Sequence, residues 1–152
     1  MKTTSSSSST RSKTLVIGFW VATALFCLQI GFTAYAQLRL PQVASAFAHL
    51  GFPDWFRVEL SWAKLLGVAL LLAPAPARLK EWAYAGFAFD LGSAVMAHMA
   101  VGDGVQAWGW AAGTGVLWAL SYLLWRRRTG ASAAPSDSEA PRRRDQRIAL
   151  GA

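Results

Sequence analysis

An all-α fold, a membrane-embedded four-helix bundle with a short interfacial helix between helices 1 and 2, is predicted by three observations. Apolar residues make up 54% of the 152-residue chain and the mean hydropathy is +0.30, high for a soluble domain of this length. The apolar residues gather into four stretches, about 14–36, 56–73, 82–101 and 105–125, each near the ~20 residues a spanning helix needs. The basic residues are sorted. Lys2, Arg11 and Lys13 precede the first stretch, Arg78 and Lys80 lie between the second and third, and Arg126–Arg128, Arg142–Arg144 and Arg147 follow the fourth. Only Arg39 and Arg57 fall on the opposite side, with Lys64 inside a stretch. The positive-inside rule then places both termini in the cytoplasm. A net charge of +7 distributed this way calls for a lipid bilayer as partner and for no nucleic acid.

The elements follow in order. Residues 1–13, with the Ser5–Ser9 run, read as a disordered cytoplasmic tail. Within the first span, Ala34-Tyr35-Ala36 before Gln37 imitates a signal-peptidase site. The apolar run ahead of it exceeds the ~7–15 residues of a signal peptide, so an uncleaved helix is expected. The connection from Gln37 to Asp54 is too long for a tight hairpin. Pro41 near its start and Gly51 near its end suit a short helix, whose Val43, Phe47 and Leu50 share one face. That face rests on the outer interface, on the bundle surface, or tucked into the bundle mouth. Pro74 and Pro76 turn the chain on the inner side, and Gly102-Asp103-Gly104 turns it on the outer side. Loops this short make the last three spans antiparallel neighbours. Trp55, Trp108 and Trp110 are expected at the outer headgroup level, and Trp82, Tyr122 and Trp125 at the inner one. Residues 126–152 read as a disordered basic cytoplasmic tail.

Chemistry is concentrated in a few ionisable residues inside apolar segments. Cys27 is the lone cysteine, which excludes an intramolecular disulfide or a CxxC redox pair. P-loop, dinucleotide-binding and HExxH signatures are missing, so neither catalytic nor metal-ligating residues are assigned and no autonomous catalytic activity is expected. A charge at mid-membrane costs about 2.5–3.5 kcal/mol on insertion scales, so such residues face partners or water-filled cavities. Counted inward from Ala73 and Glu81, Lys64 and Asp90 each lie nine residues deep, roughly 13 Å at the helical rise. Equal depth predicts an ion pair. Glu59 and His98 fall within about one turn of each other nearer the outer end, where a carboxylate beside an imidazole suits proton uptake or a grip on a ligand. Asp90 and His98 share a broad helix face, so Glu59, Lys64, Asp90 and His98 form a candidate polar pocket. Glu81 reads as a dipole-capping carboxylate, Gln29 as a lone amide bonding across the bundle, and Gly109–Gly113 as a GxxxG step for close packing or a homo-oligomer.

Several runs carry a family resemblance: Phe47-Ala-His-Leu-Gly-Phe-Pro53, Ala63-Lys-Leu-Leu-Gly67, Leu79-Lys-Glu-Trp-Ala-Tyr-Ala-Gly-Phe87, Phe89-Asp90 and His98-Met-Ala-Val-Gly-Asp103. Over about Val16–Trp125 the chain resembles the DoxX-like family of small bacterial membrane proteins. The resemblance implies a four-helix membrane bundle in the inner membrane and, through the thiosulfate:quinone oxidoreductase subunit that gave the family its name, an association with quinone-linked or oxidative-stress assemblies. It brings no catalytic residue set; Lys64, Glu81, Asp90, His98 and Asp103 are its candidate positions. Three functions are therefore expected to compete. They are an accessory subunit of a membrane redox assembly that holds a quinone-like molecule beside redox partner proteins, a small transporter or proton conductor, and a structural scaffold. The cofactor is left unknown, with quinone as the candidate.

Overall fold

The computed structural model describes residues 6–132, and the described residues form five helices joined by short turns. They are α1 (Ser6–Arg39), α2 (Pro41–His49), α3 (Asp54–Leu72), α4 (Ala77–Ala100) and α5 (Val105–Ser132). The first five residues, and the basic segment with Arg142–Arg144 and Arg147, lie outside the described residues. The all-α prediction is met. The four long helices close a ring, α1 packing on α3 and α5, and α4 packing on the same two. The short α2 touches only α1 and α3.

Helix limits differ from the sequence reading where local breakers differ. α1 begins at Ser6, inside the segment read as a tail, because no Gly or Pro interrupts it before the apolar run. α5 likewise continues through Arg126–Arg128, good helix formers, as far as Ser132. Pro76 stands at the N-cap of α4, so Glu81 lies beyond the first turn and pairs with Arg126 at 3.4 Å instead of capping the helix. Its neighbour Lys80 donates to the carbonyl of Leu71 at 2.9 Å, covering one of the open carbonyls at the end of α3. The Ala34-Tyr35-Ala36 step runs in mid-helix with both alanines buried.

Of the four expected spans, one helix, Lys13–Arg39 within α1, is by itself long and apolar enough to cross a membrane, with a mean hydropathy of 2.1. The other stretches fall short for chemical reasons. α3 carries Asp54, Arg57, Glu59 and Lys64, α4 carries Asp90 and His98, and α4 and α5 include several Gly, Trp and Tyr residues of low hydropathy.

Two halves of the ring are built differently. The inner half is filled. Phe26 meets Phe87 edge-on at 5.1 Å, and Tyr84 packs against Tyr122 and Trp125. Trp125 is 6% exposed and Tyr122 stacks on Trp118, so both turn inward and are not the headgroup anchors expected of them. Trp82, Trp55 and Trp110 do project outward. A buried hydrogen-bond chain ties three helices together: Thr23 to Ser121 at 2.8 Å, Ser121 to Tyr84 at 2.7 Å, and Trp118 Nε1 donating to the Tyr84 carbonyl at 2.9 Å. Gln29 of α1 donates to Thr114 of its neighbour α5 at 3.5 Å.

Gly67 sets how closely α3 and α4 approach. A Cβ there would stand 2.5 Å from Phe87 Cζ, and the Phe87 ring is buried against Phe26 with little room to retreat. Gly67→Ala is expected to cost about 1–3 kcal/mol through overpacking, read as an earlier thermal transition of the purified protein. An unchanged transition would show the ring free to move.

Candidate functional site

The outer half of the ring is hollow. A cavity of about 730 Å³ opens there, walled by all five helices, within the roughly 300–1,000 Å³ usual for small-molecule sites. Its walls are mostly apolar: Phe32, Phe47, Phe52, Phe56, Phe89 and Trp110 stand on them, and Ala36, Ala94, Ala107 and Ala111 leave the space.

The deep wall carries Lys64 and Asp90. Lys64 Nζ lies 3.4 Å from Asp90 Oδ1, and each side chain is 10% exposed. The pairing follows from register, since Gly67 and Phe87 meet three residues further along both helices. Asp90 is the one partner Lys64 has among the described residues, although an ammonium carries three donors. The carboxylate has spare acceptor sites in the same way. The pair thus offers a donor and an acceptor side by side on an apolar wall. Breaking a buried pair leaves an uncompensated charge, costing about 3–5 kcal/mol, whereas apolar replacement of both partners is often near neutral.

His98 lines the same cavity eight residues from Asp90, about 12 Å toward the outer end. Glu59 does not join them. It is exposed and absent from the cavity wall. Depth alone suggested that pairing, but five residues separate Glu59 from Lys64, a rotation of about 140° that points it away from the cavity. Leu65 and Phe87 are also absent from the wall, while Phe89 is present.

The partner of His98 is Asp103, and the local backbone explains why. α4 ends in a Schellman motif: Gly102 takes φ +79°, its N–H bonds to the Met99 carbonyl at 3.1 Å, and the Asp103 N–H bonds to the His98 carbonyl at 2.9 Å. The two side chains brought together by such a cap are commonly apolar. Here they are His98 and Asp103, with Nδ1 2.6 Å from Oδ2. The second carboxylate oxygen, Oδ1, receives His49 Nε2 of α2 at 2.9 Å. Hydrogen bonds from His98 and then His49 hold the Asp103 carboxyl below its ordinary value of 3.8. A depressed carboxylate adds stability that is complete above the ordinary value and lost as pH falls through the lowered one. Asp103 entered the sequence reading only through the family resemblance, and His49 was overlooked. Its position 54 residues from Asp103 gives no local signal.

α2 repeats the same cap. Gly51 has φ +79°, and Gly51 and Phe52 donate to the carbonyls of Ala48 and Phe47. The Phe47 and Phe52 rings supply the usual apolar closure at 6.1 Å. Val43, Phe47 and Leu50 line the cavity, so the apolar face expected from the sequence covers the bundle mouth. Arg57 braces the α1 end, donating to Asp54 Oδ1 at 2.8 Å and to the Gln37 carbonyl, while Ser61 donates to Gln37 Oε1 at 3.0 Å. Among the described residues no cluster of His, Cys, Asp and Glu has the makings of a metal site.

These features define a small all-helical protein with an ion pair on the wall of an apolar cavity. The profile of the DoxX-like family matches residues 21–121, and the chain belongs to that family. Neither a curated protein nor a solved structure matches it.

A cycle of Lys64→Met, Asp90→Leu and the double substitution tests the pair. Each single change is expected to cost about 3–5 kcal/mol and the double change far less than their sum, measured as thermal stability of the purified protein. Simple additivity would show that the two charges do not interact.

Proposed function

We propose that this protein is a multi-pass protein of the bacterial inner membrane. Its four long helices form a membrane-embedded bundle, both termini lie in the cytoplasm, and its cavity holds a small lipophilic molecule with a carbonyl-bearing head, such as a quinone. In this reading it serves a quinone-linked or oxidative-stress redox assembly as an accessory subunit and has no catalytic activity of its own.

One observation carries the reading: large apolar side chains cover the outside of the molecule, while a charged pair is kept inside it on the wall of the cavity. Large apolar side chains face outward, with Ile17, Leu28, Phe89 and Met96 each more than half exposed. Thr23, Ser61, Lys64, Thr114 and Ser121 are buried. Large apolar side chains exposed in this number call for an apolar partner, and in this reading lipid supplies it. Polar groups then belong inside, paired or facing a cavity. The cavity has apolar sides along its length and Lys64 with Asp90 at depth. An amphiphile would insert head first, its carbonyl accepting from Lys64 and any hydroxyl donating to Asp90, with its tail among the phenylalanines.

The binding test uses decylubiquinone with the protein in lipid nanodiscs. Asp90→Asn is expected to weaken binding about tenfold, and His98→Ala to weaken it less. Equal affinity in all three proteins, or none in any, leaves a scaffold whose ion pair only fixes helix register.

Topology is tested by introducing Asp103→Cys or Ser136→Cys in a Cys27→Ser background and labelling intact cells with an impermeant maleimide. Labelling at position 103 and protection at 136 are expected; the opposite pattern overturns the orientation.

A further inference from the structure

We infer that α2 is a hinged lid over the cavity and that the His49–Asp103–His98 chain is the latch that holds it shut. The inference rests on the cavity being a binding site and adds how its occupant is exchanged.

α2 is attached at its two ends and nearly free along one edge. Its packing partners are α1 and α3, the helices to which its ends are joined. No residue of α2 is buried, although Val43, Phe47 and Leu50 line the cavity. Across the mouth stand α4, α5 and the turn between them. Among the described residues, the hydrogen bond from α2 to that side is His49 to Asp103.

Both ends have the geometry of pivots. Leu40 is extended, with φ −97° and ψ 120°, immediately before Pro41. Gly51 at φ +79° is followed by Pro53 in extended backbone. An axis through these points lets α2 roll, lifting the edge that faces α4 and α5 while its ends stay attached.

The two halves of the latch are unequal. The catch is preformed: Asp103 is fixed by the backbone bond to the His98 carbonyl and by the side-chain bond from His98, neither of which involves α2. The lid contributes His49 alone. Its side chain is 58% exposed, so replacing it disturbs neither the core nor the Lys64–Asp90 pair.

The test reads access to the cavity without needing a ligand. In a Cys27→Ser background, Ala111→Cys places a thiol on the cavity wall and, in a second protein, Gln106→Cys places one outside at an exposed position. Both are labelled with a membrane-impermeant maleimide in nanodiscs. Adding His49→Ala is expected to speed labelling at position 111 about tenfold and leave position 106 unchanged. His49→Gln, which keeps a nitrogen donor near the place of Nε2, is expected to restore slow labelling. Equal rates at position 111 with and without His49, or acceleration by His49→Gln equal to that by His49→Ala, overturns the latch. Decylubiquinone binding is measured on the same proteins. A labelling response with no quinone binding supports the lid while removing the quinone reading. Quinone binding with no labelling response keeps the site and removes the lid.

Discussion

The ion pair between Lys64 and Asp90 fixes the geometry on which the outer half of the molecule depends. Two charges on an apolar wall are costly apart and tolerable only together, so α3 and α4 are held to a register in which these residues face each other. The same register seats Phe87 on Gly67 and brings the helices close enough to seal the inner half. Moving either helix by one residue would rotate its charge about 100° away from its partner. The pair therefore acts as a pin for helix packing whatever the cavity holds. Its remaining hydrogen-bonding capacity is what makes the wall more than a pin.

The contrast between the two halves comes from residue size. On the inner side, large rings and a hydroxyl chain consume the space: Phe26, Tyr84, Phe87 and Trp125 interlock while Thr23 and Ser121 satisfy one another and the tyrosine. On the outer side, the inward positions are Ala36, Ala94, Ala107 and Ala111, and Gly86 lies just beneath Asp90. Small side chains leave space within a ring of helices, and Phe32, Phe47, Phe52, Phe56 and Phe89 line that space. Close-packed interiors contain few voids larger than a water molecule. In the proposed reading, this void at one end of the ring, with a charged pair on its wall, is the binding site.

Much of this was legible in the sequence, and the divide between what was and was not is physical. Depth along a helix follows from counting residues, which is why the sequence matches Lys64 with Asp90. Azimuth requires knowing where the neighbours are, which is why Glu59 was grouped with His98 and in fact points away. Pro41, Gly51 and the Val43–Phe47–Leu50 face announced α2, because turn chemistry and periodicity are local. The Asp103 bridge to His49 joins positions 54 apart and has no periodic signature. Part of it was still open to sequence reasoning: a Gly two residues past a helix end, with His three positions before the cap and Asp after the Gly, fits a Schellman cap whose closing contact is polar. The inward turn of Tyr122 and Trp125 was hidden for the opposite reason. Aromatics near a helix end are common at headgroups, and only the buried hydroxyl chain on Tyr84 shows that this end needed filling.

The two Schellman caps also explain why one end of the molecule can be mobile while the other is not. A cap closed by Phe47 on Phe52 has only an apolar side-chain contact. A cap closed by His98 on Asp103 places a carboxylate at a set point in space, with one oxygen still available for a donor from elsewhere. Surface hydrogen-bonded pairs of this kind contribute little to overall stability. Their bonds can exchange with water at small cost, which suits a contact that must open repeatedly. The inner half carries an exposed Glu81–Arg126 pair, but its hydroxyl chain is buried, and separating those helices would strand polar groups away from water. The chain has placed its strong, water-excluded bonds where the helices must stay together, and its weak, water-exchangeable bond across the mouth of the cavity.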